Sequence, residues 1–273
     1  MRPRSLGLVV NGVRPGARLA ASEIARRAEA HAIAVFATGE GDAMDLPAWG
    51  DQHVDVVVAV GGDGTVLQAA RRSVELDVPM IGINLGTIGF LADAEPEEVA
   101  TVVDMLAGGE YEIEERNTLR AVLPDGRSGI GVNDVVVEKI DAERLVILAV
   151  EIDGEPFLTY RADGVVVATS TGSTAYSFSA GGPLLDPKVP AILITPVAPH
   201  SLFDRTLIVP ALSRVAVTVA ADRPVRVGID GRELGSLEEG ETVHVEPGPV
   251  PAKFIRFRDE GFPGRVTRKF DVG

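Results

Sequence analysis

The run from Val54 to Val60 is almost unbroken valine and leads straight into Gly61-Gly62-Asp63-Gly64-Thr65; no other stretch restricts the fold so strongly. A strand with no polar alternation is buried on both faces, which places it inside a parallel sheet covered by helices. Helical spacing resumes at once over Thr65–Val74. A strand, a glycine turn and a helix in that order sit at the carboxyl edge of such a sheet, where α/β folds bind ligands. The neighbouring sequence agrees. Leu6–Val10, Ala32–Phe36 and Val78–Leu85 read as further strands, and Arg18–Ala30 and Pro96–Leu106 as amphipathic helices.

The pattern changes near Glu110. From Tyr111 to Val245 there is no strong helical period, only Val/Ile/Leu runs separated by turn signals. Pro124-Asp125-Gly126, Asp153-Gly154 and Asp230-Gly231 each stand between strand-like runs, as hairpin turns do. Lys253–Arg258 reads as one more strand and Phe262–Phe270 as a weak terminal helix. At about 100–200 residues per domain, two domains are expected. The division is 1–110 for an α/β domain with a parallel sheet, 111–252 for an all-β domain, and 253–273 for a segment returning to the first.

Composition narrows the function. With no cysteine, thiolate catalysis, disulfides and Cys-based metal sites are excluded. The 26 basic and 40 acidic side chains give a net charge of −14, which disfavours nucleic acid as a partner. Lysine-poor acidity of this kind suits either a salt-adapted surface or an ordinary solvated one from a GC-rich coding sequence. Leu6–Val10 is too short for a signal-peptide core, and no apolar stretch reaches the roughly 18 residues of a membrane span. The expectation is a cytoplasmic enzyme that does not engage membranes.

Three segments carry candidate chemistry. In Gly61–Thr65 the glycines let backbone approach a ligand closely, and the helix behind them offers free N–H groups to phosphate oxygens. Asp63 is a carboxylate beside that cradle. No Gly-Lys-Ser/Thr follows, so this is not a Walker A loop. The second segment is 169–179, in which eight of eleven residues carry a hydroxyl, followed by Ala180-Gly181-Gly182-Pro183. Hydroxyls at that density, with Tyr176 and Phe178 among them, suit a pocket for a polar ligand with a stackable ring, or else a Ser/Thr-rich surface loop. The third, Asn133-Asp134, reads by itself as a turn or bulge. His200 with Ser201 and Arg205 is a weak anion-binding candidate, and the remaining histidines lack zinc-ligand spacing.

Together these segments resemble the NAD kinases, whose pattern is a Gly-Gly-Asp-Gly loop, an Asn-Glu pair and a Thr-Gly-Ser-Thr-Ala-Tyr-Ser segment ending in Gly-Gly-Pro. Here they stand at 61–65, 133–134 and 171–183, and Asn84–Leu91 resembles the family's loop after the next strand. Asp134 replaces the usual Glu, Ser170 a usual Pro, and Thr206 another. The resemblance implies a two-domain fold and transfer of the terminal phosphoryl of ATP or polyphosphate to the adenosine ribose 2′-hydroxyl of NAD. It implies Mg²⁺ or another divalent ion, with no side chain assigned to it, and a homo-oligomer, dimer or tetramer. Asp63 is then the catalytic base, and Gly61, Gly62, Gly64 and Thr65 bind phosphate. Asn133, Asp134, Thr171, Thr174, Ala175, Tyr176 and Ser179 hold the adenosine half. Gly64, Phe90, Arg161, Asp163 and Asp230 complete the substrate contacts. Two alternatives remain at this point: a lipid or other small-molecule kinase sharing the glycine loop, and a dinucleotide-binding protein without turnover.

Overall fold

The computed structural model describes residues 2–14, 16–40, 46–86, 89–141, 143–221 and 223–271. The chain opens with β1 (Ser5–Asn11), α1 (Ala17–Ala30), β2 (Ala34–Glu40), β3 (Val56–Gly61), α2 (Asp63–Leu76), β4 (Met80–Asn84), α3 (Val99–Gly108) and β5 (Glu112–Arg116). Strands dominate the middle: β6 (Leu119–Val122), β7 (Ser128–Gly131), β8 (Asp134–Lys139), β9 (Val146–Ile152), β10 (Glu155–Ala162) and β11 (Gly164–Thr169). After the short helix α4 (Tyr176–Ser179) come β12 (Ala191–Val197), β13 (Leu207–Pro210), β14 (Val215–Val219), β15 (Val225–Ile229), β16 (Arg232–Leu237) and β17 (Thr242–Pro247). The chain ends with β18 (Ala252–Arg256) and α5 (Phe262–Phe270). It divides into two units, Met1–Glu115 with Ala252–Gly273, and Arg116–Pro251.

In the first unit six strands lie in the order β2-β1-β3-β4-β18-β5, and the pairs from β2 through β18 are parallel. β3 is buried at every residue, as its unbroken valines require. Leu6, Leu8 and Val10 of β1 and Val56, Val58 and Val60 of β3 share a core with Ile24 and Ala28 of α1 and Val102, Val103 and Leu106 of α3. Helix α2 packs against β3, β4 and β18 through buried Val66, Ala69, Ala70 and Val74. The chain leaves β1 toward β2 on one side, while β3 and β4 lie on the other. The switch in winding direction therefore falls between β1 and β3, the place at whose carboxyl ends open α/β sheets bind ligands.

Most boundaries differ from the sequence reading by a few residues, and two of them have a clear local reason. β2 begins at Ala34 rather than Ala32, because Ala32 takes a left-handed φ of 56° where α1 unwinds. α2 begins at Asp63 rather than Thr65, because Gly62 serves as its N-cap in an extended conformation. That puts the Asp63 carboxylate in the first turn, at the positive end of the helix dipole.

The second unit is antiparallel throughout its described ladders. One sheet runs β10-β9-β14-β17-β6-β7 and the other β13-β12-β11-β8-β15-β16. Their inward residues, among them Leu119, Val135, Val137, Leu148, Tyr160, Val165, Ile194, Val217 and Val227, form one core. All three expected hairpins occur. Asp153-Gly154 and Asp230-Gly231 both have positive φ at each residue, the geometry a tight two-residue turn requires.

Candidate functional site

In the first unit the glycine loop and the segment after β4 converge on Asp63. Its Oδ2 accepts a hydrogen bond from the Phe90 N–H at 3.2 Å and its Oδ1 one from Leu91 N–H at 3.4 Å. Gly89 makes that approach possible, since a Cβ there would overlap the carboxylate. Gly62, the N-cap of α2, has no side chain to bond the first turn; the Thr65 and Val66 N–H groups donate to its carbonyl at 2.8 Å and 3.0 Å, and the Asp63 and Gly64 amides are left without a partner among the described residues. Gly64 faces open space, whereas Gly61 lies tight against the Thr65 side chain, so these two glycines do different work. Thr65 is itself buried. Thr87 and Ile88 of the same segment lie outside the described residues.

Phe90 is half-buried, its ring centroid 5.9 Å from Phe270 and 6.5 Å from Phe262, both on α5. Arg14, in the turn after β1, extends over the glycine loop from the other side. Its Nη1 donates to the Leu85 carbonyl at 3.1 Å, and its Nη2 lies 3.0 Å from where a Gly62 Cβ would stand. Nothing in the local pattern Asn11-Gly12-Val13-Arg14 marks this arginine. Only the adjacency of β1 and β3 brings it there.

In the second unit the Asn133-Asp134 pair and the 169–179 segment come together. Gly172 packs so closely on the Asn133 carbonyl that any Cβ would overlap it, and the Thr169 N–H donates to that carbonyl at 2.8 Å. Most buried hydroxyls here fasten the segment to its own surroundings. Thr169 Oγ1 donates to Val132 O at 2.7 Å, and Ser170 Oγ donates to Val189 O. Ser173 Oγ both donates to Leu185 O and accepts from its N–H, and Ser177 bonds to Thr195. The density of Ser and Thr therefore builds a rigid, dry loop first, which the expectation of a hydroxyl-lined pocket did not separate from ligand contact. Two buried atoms stand apart: Thr171 Oγ1 and Asn133 Oδ1 have no hydrogen-bond partner among the described residues. Thr174, Ala175, Tyr176, Phe178 and Ser179 are the accessible part of the segment.

The acidic residues of this unit are distributed unequally. Asp230 is buried and its carboxylate accepts from three consecutive amides, Val132 at 2.9 Å, Asn133 at 2.8 Å and Asp134 at 3.2 Å. It thus holds the Asn133-Asp134 backbone in place. Asp134 is equally buried, and burial, with the Asp230 charge beside it, pushes its carboxyl up to about 7. Asp163 pairs with Lys139 at 2.6 Å, while the Arg161 side chain is exposed. His200, Ser201 and Arg205 lie on the surface, Arg205 beside Asp204.

Comparison with known proteins accords with both halves of this arrangement. Residues 42–111 match the model of the ATP-NAD kinase N-terminal domain and residues 132–257 that of the ATP-NAD kinase C-terminal domain. The chain is 37% identical to an NAD kinase of Moorella thermoacetica, over 98% of its own length and 89% of that protein's. Its fold superposes on yeast NADH kinase complexed with NADH at a TM-score of 0.89, with 25% identity, 100% of this chain and 89% of that one. An NAD kinase from Archaeoglobus fulgidus in complex with ATP shares the fold at a TM-score of 0.73, with 24% identity over 98% of this chain and 96% of that one. By these matches and by the residues gathered at 61–65, 133–134 and 171–183, the chain belongs to the NAD kinase family.

Proposed function

We propose that this protein phosphorylates the adenosine ribose 2′-hydroxyl of NAD with the terminal phosphoryl group of ATP, releasing NADP and ADP, in the cytoplasm. The observation that carries the reading is the Asp63 carboxylate, fixed by two backbone amides of a later loop, in the first turn of a helix whose Asp63 and Gly64 N–H groups have no partner among the described residues. Those N–H groups suit the donor's phosphate oxygens, and Asp63 suits the proton of the attacking hydroxyl. A carboxylate is too weak a base to take that proton beforehand. As the ribose oxygen bonds to phosphorus, the bond from phosphorus to the bridging oxygen breaks. The proton then passes to Asp63 and the electron pair leaves with ADP.

The second unit suits the acceptor. Asn133 Oδ1 and Thr171 Oγ1, buried and without partners among the described residues, are groups that a ribose or adenine would satisfy. Asp134, Thr174, Ala175, Tyr176 and Ser179 would contact the same half of the dinucleotide. Gly64, Phe90 and Arg161 are proposed to reach it directly; Asp163 and Asp230 are proposed to act there through the ion pair and backbone they hold. Mg²⁺ or another divalent ion would arrive on the donor's phosphates and neutralise their charge, with Asp63 a hard oxygen group able to face its waters. Among the described residues no three His, Asp or Glu side chains gather to hold a metal by themselves. Inorganic polyphosphate carries the same anhydride bond and is proposed as a second donor. A homo-oligomer, dimer or tetramer, is proposed because β7, β10, β13 and β16 end the two sheets of the second unit as open edges.

NADP formation from NAD, measured with ATP and with polyphosphate, tests the reading. Asp63→Asn should retain its fold and lose about 10²–10⁴-fold in turnover. Turnover equal to the wild type would remove Asp63 from the reaction. NAD binding with no NADP formed by the wild type would leave a binding protein in place of an enzyme.

A further inference from the structure

We propose that Arg14 is the cationic clamp for the donor's phosphate chain, a role that rests on the kinase reading above. The carboxyl ends of β1 and β3 are followed by two loops, one after each strand. The loop after β3 supplies the glycines and leads into the Asp63 and Gly64 amides of α2, which have no partner among the described residues. The loop after β1 supplies Arg14, and its guanidinium lies over that same glycine turn, beside Gly62 and Gly86. Its position is built from backbone: Arg14 N–H donates to Asn11 O at 3.0 Å, and Arg14 O accepts from Ala17 N–H at 3.2 Å. Both ends of the residue are therefore fixed before any ligand arrives.

Among the described residues the charge of Arg14 has no partner of opposite sign. There its side chain bonds to the Leu85 carbonyl alone, and no carboxylate lies within ion-pair distance. Elsewhere in this unit arginines find acids readily: Arg26 pairs with Glu23, Arg27 with Asp104, Arg72 with Glu75 and Arg258 with Glu98. In a chain of net charge −14, an arginine left without an acid beside open helix amides is positioned for an anion from outside. A single Nη1–carbonyl bond leaves the other guanidinium donors free, enough for two phosphate oxygens at once. Negative charge builds on the oxygen leaving with ADP as the terminal phosphoryl departs, and a cation at the phosphate chain stabilises that charge.

The role is specific to the donor. Arg14→Ala should raise KM for ATP and weaken Mg·ATP binding in calorimetry by about tenfold or more. It should lower kcat, leave KM for NAD within about twofold and leave the melting temperature unchanged, since an exposed side chain with one bond contributes little to stability. Arg14→Lys should recover only part of the ATP affinity, keeping the charge but not the fork. Inorganic tripolyphosphate, which has no base or ribose, should show the same loss on titration. Equal ATP and tripolyphosphate affinities in wild type and Arg14→Ala, or a defect confined to KM for NAD, would overturn the assignment. The titrations need no turnover, so they judge Arg14 even if the wild type forms no NADP, an outcome that would defeat the kinase reading alone.

Discussion

At the scale of the residue, this site depends on single atoms that leave no space for alternatives. Gly89→Ala would drive a methyl group into the Asp63 carboxylate and push it from the Phe90 and Leu91 amides. We expect kcat to fall at least about tenfold with ATP binding little changed, read from NADP formation and ATP titration of the same variant. Asp134 offers a test in pH. Its folded carboxyl titrates near 7 while an unfolded aspartate titrates near 4, so the native state holds a proton that the unfolded chain has already lost. The contribution of Asp134 to native stability is therefore full below about pH 4, declines as pH rises toward 7, and is lost above it. Asp134→Asn should melt higher than wild type at pH 8, by roughly 2 kcal/mol or more, with the gap closing toward pH 4. A constant gap across that range would show that burial of Asp134 is not what sets its acidity. The sequence made Asp63 legible, since glycines around a carboxylate after a buried strand have few other uses. It did not reveal the amides that hold Asp63, because they arrive from a loop 27 and 28 positions later. Nor did it show what Asp230 does: the Asp-Gly pair is the turn it looks like, yet its carboxylate serves three amides almost a hundred residues upstream.

At the scale of the element, the terminal strand and helix are tied to the first unit by charge as well as by the sheet. Asp93, nearly inaccessible at 4%, accepts from the Phe257 N–H at 2.6 Å and the Arg258 N–H at 3.1 Å, and lies 3.0 Å from the Arg256 Nη2. Removing it leaves two amides without their acceptor and takes the nearest carboxylate from a mostly buried guanidinium, which keeps only the Glu260 carbonyl at 3.3 Å and Glu114 at 3.9 Å among the described residues. Asp93→Ala should cost about 3–5 kcal/mol in chemical denaturation, whereas exposed Glu23→Ala on α1 should fall within experimental error. Strand and helix types were readable here because periodicity is local. The position of β18 between β4 and β5 was not, because one strand's pattern does not name its neighbours. Arg14 belongs to the same class: its partner loop was visible in the sequence, but the pairing of β1 with β3 that joins the two was not.

At the scale of the whole molecule, the second unit is one continuous stretch and the first is not: its sheet takes β18 from the far end of the chain. As the chain folds, β1 through β4 are joined only later by β18, which follows the whole second unit in sequence. Until then β4 and β5 lack the strand that separates them, and the edge of β4 is open to the wrong partner. A chain truncated after Pro251 should therefore be cleaved readily by added protease within 1–115 while 116–251 resists, and the chain of residues 1–273 should show no such difference. Resistance of both regions in the truncated chain would show that the sheet matures without β18. For this architecture the loss of residues 252–273 would matter as much as any single side chain, because it takes away the strand that joins β4 to β5 in the first sheet.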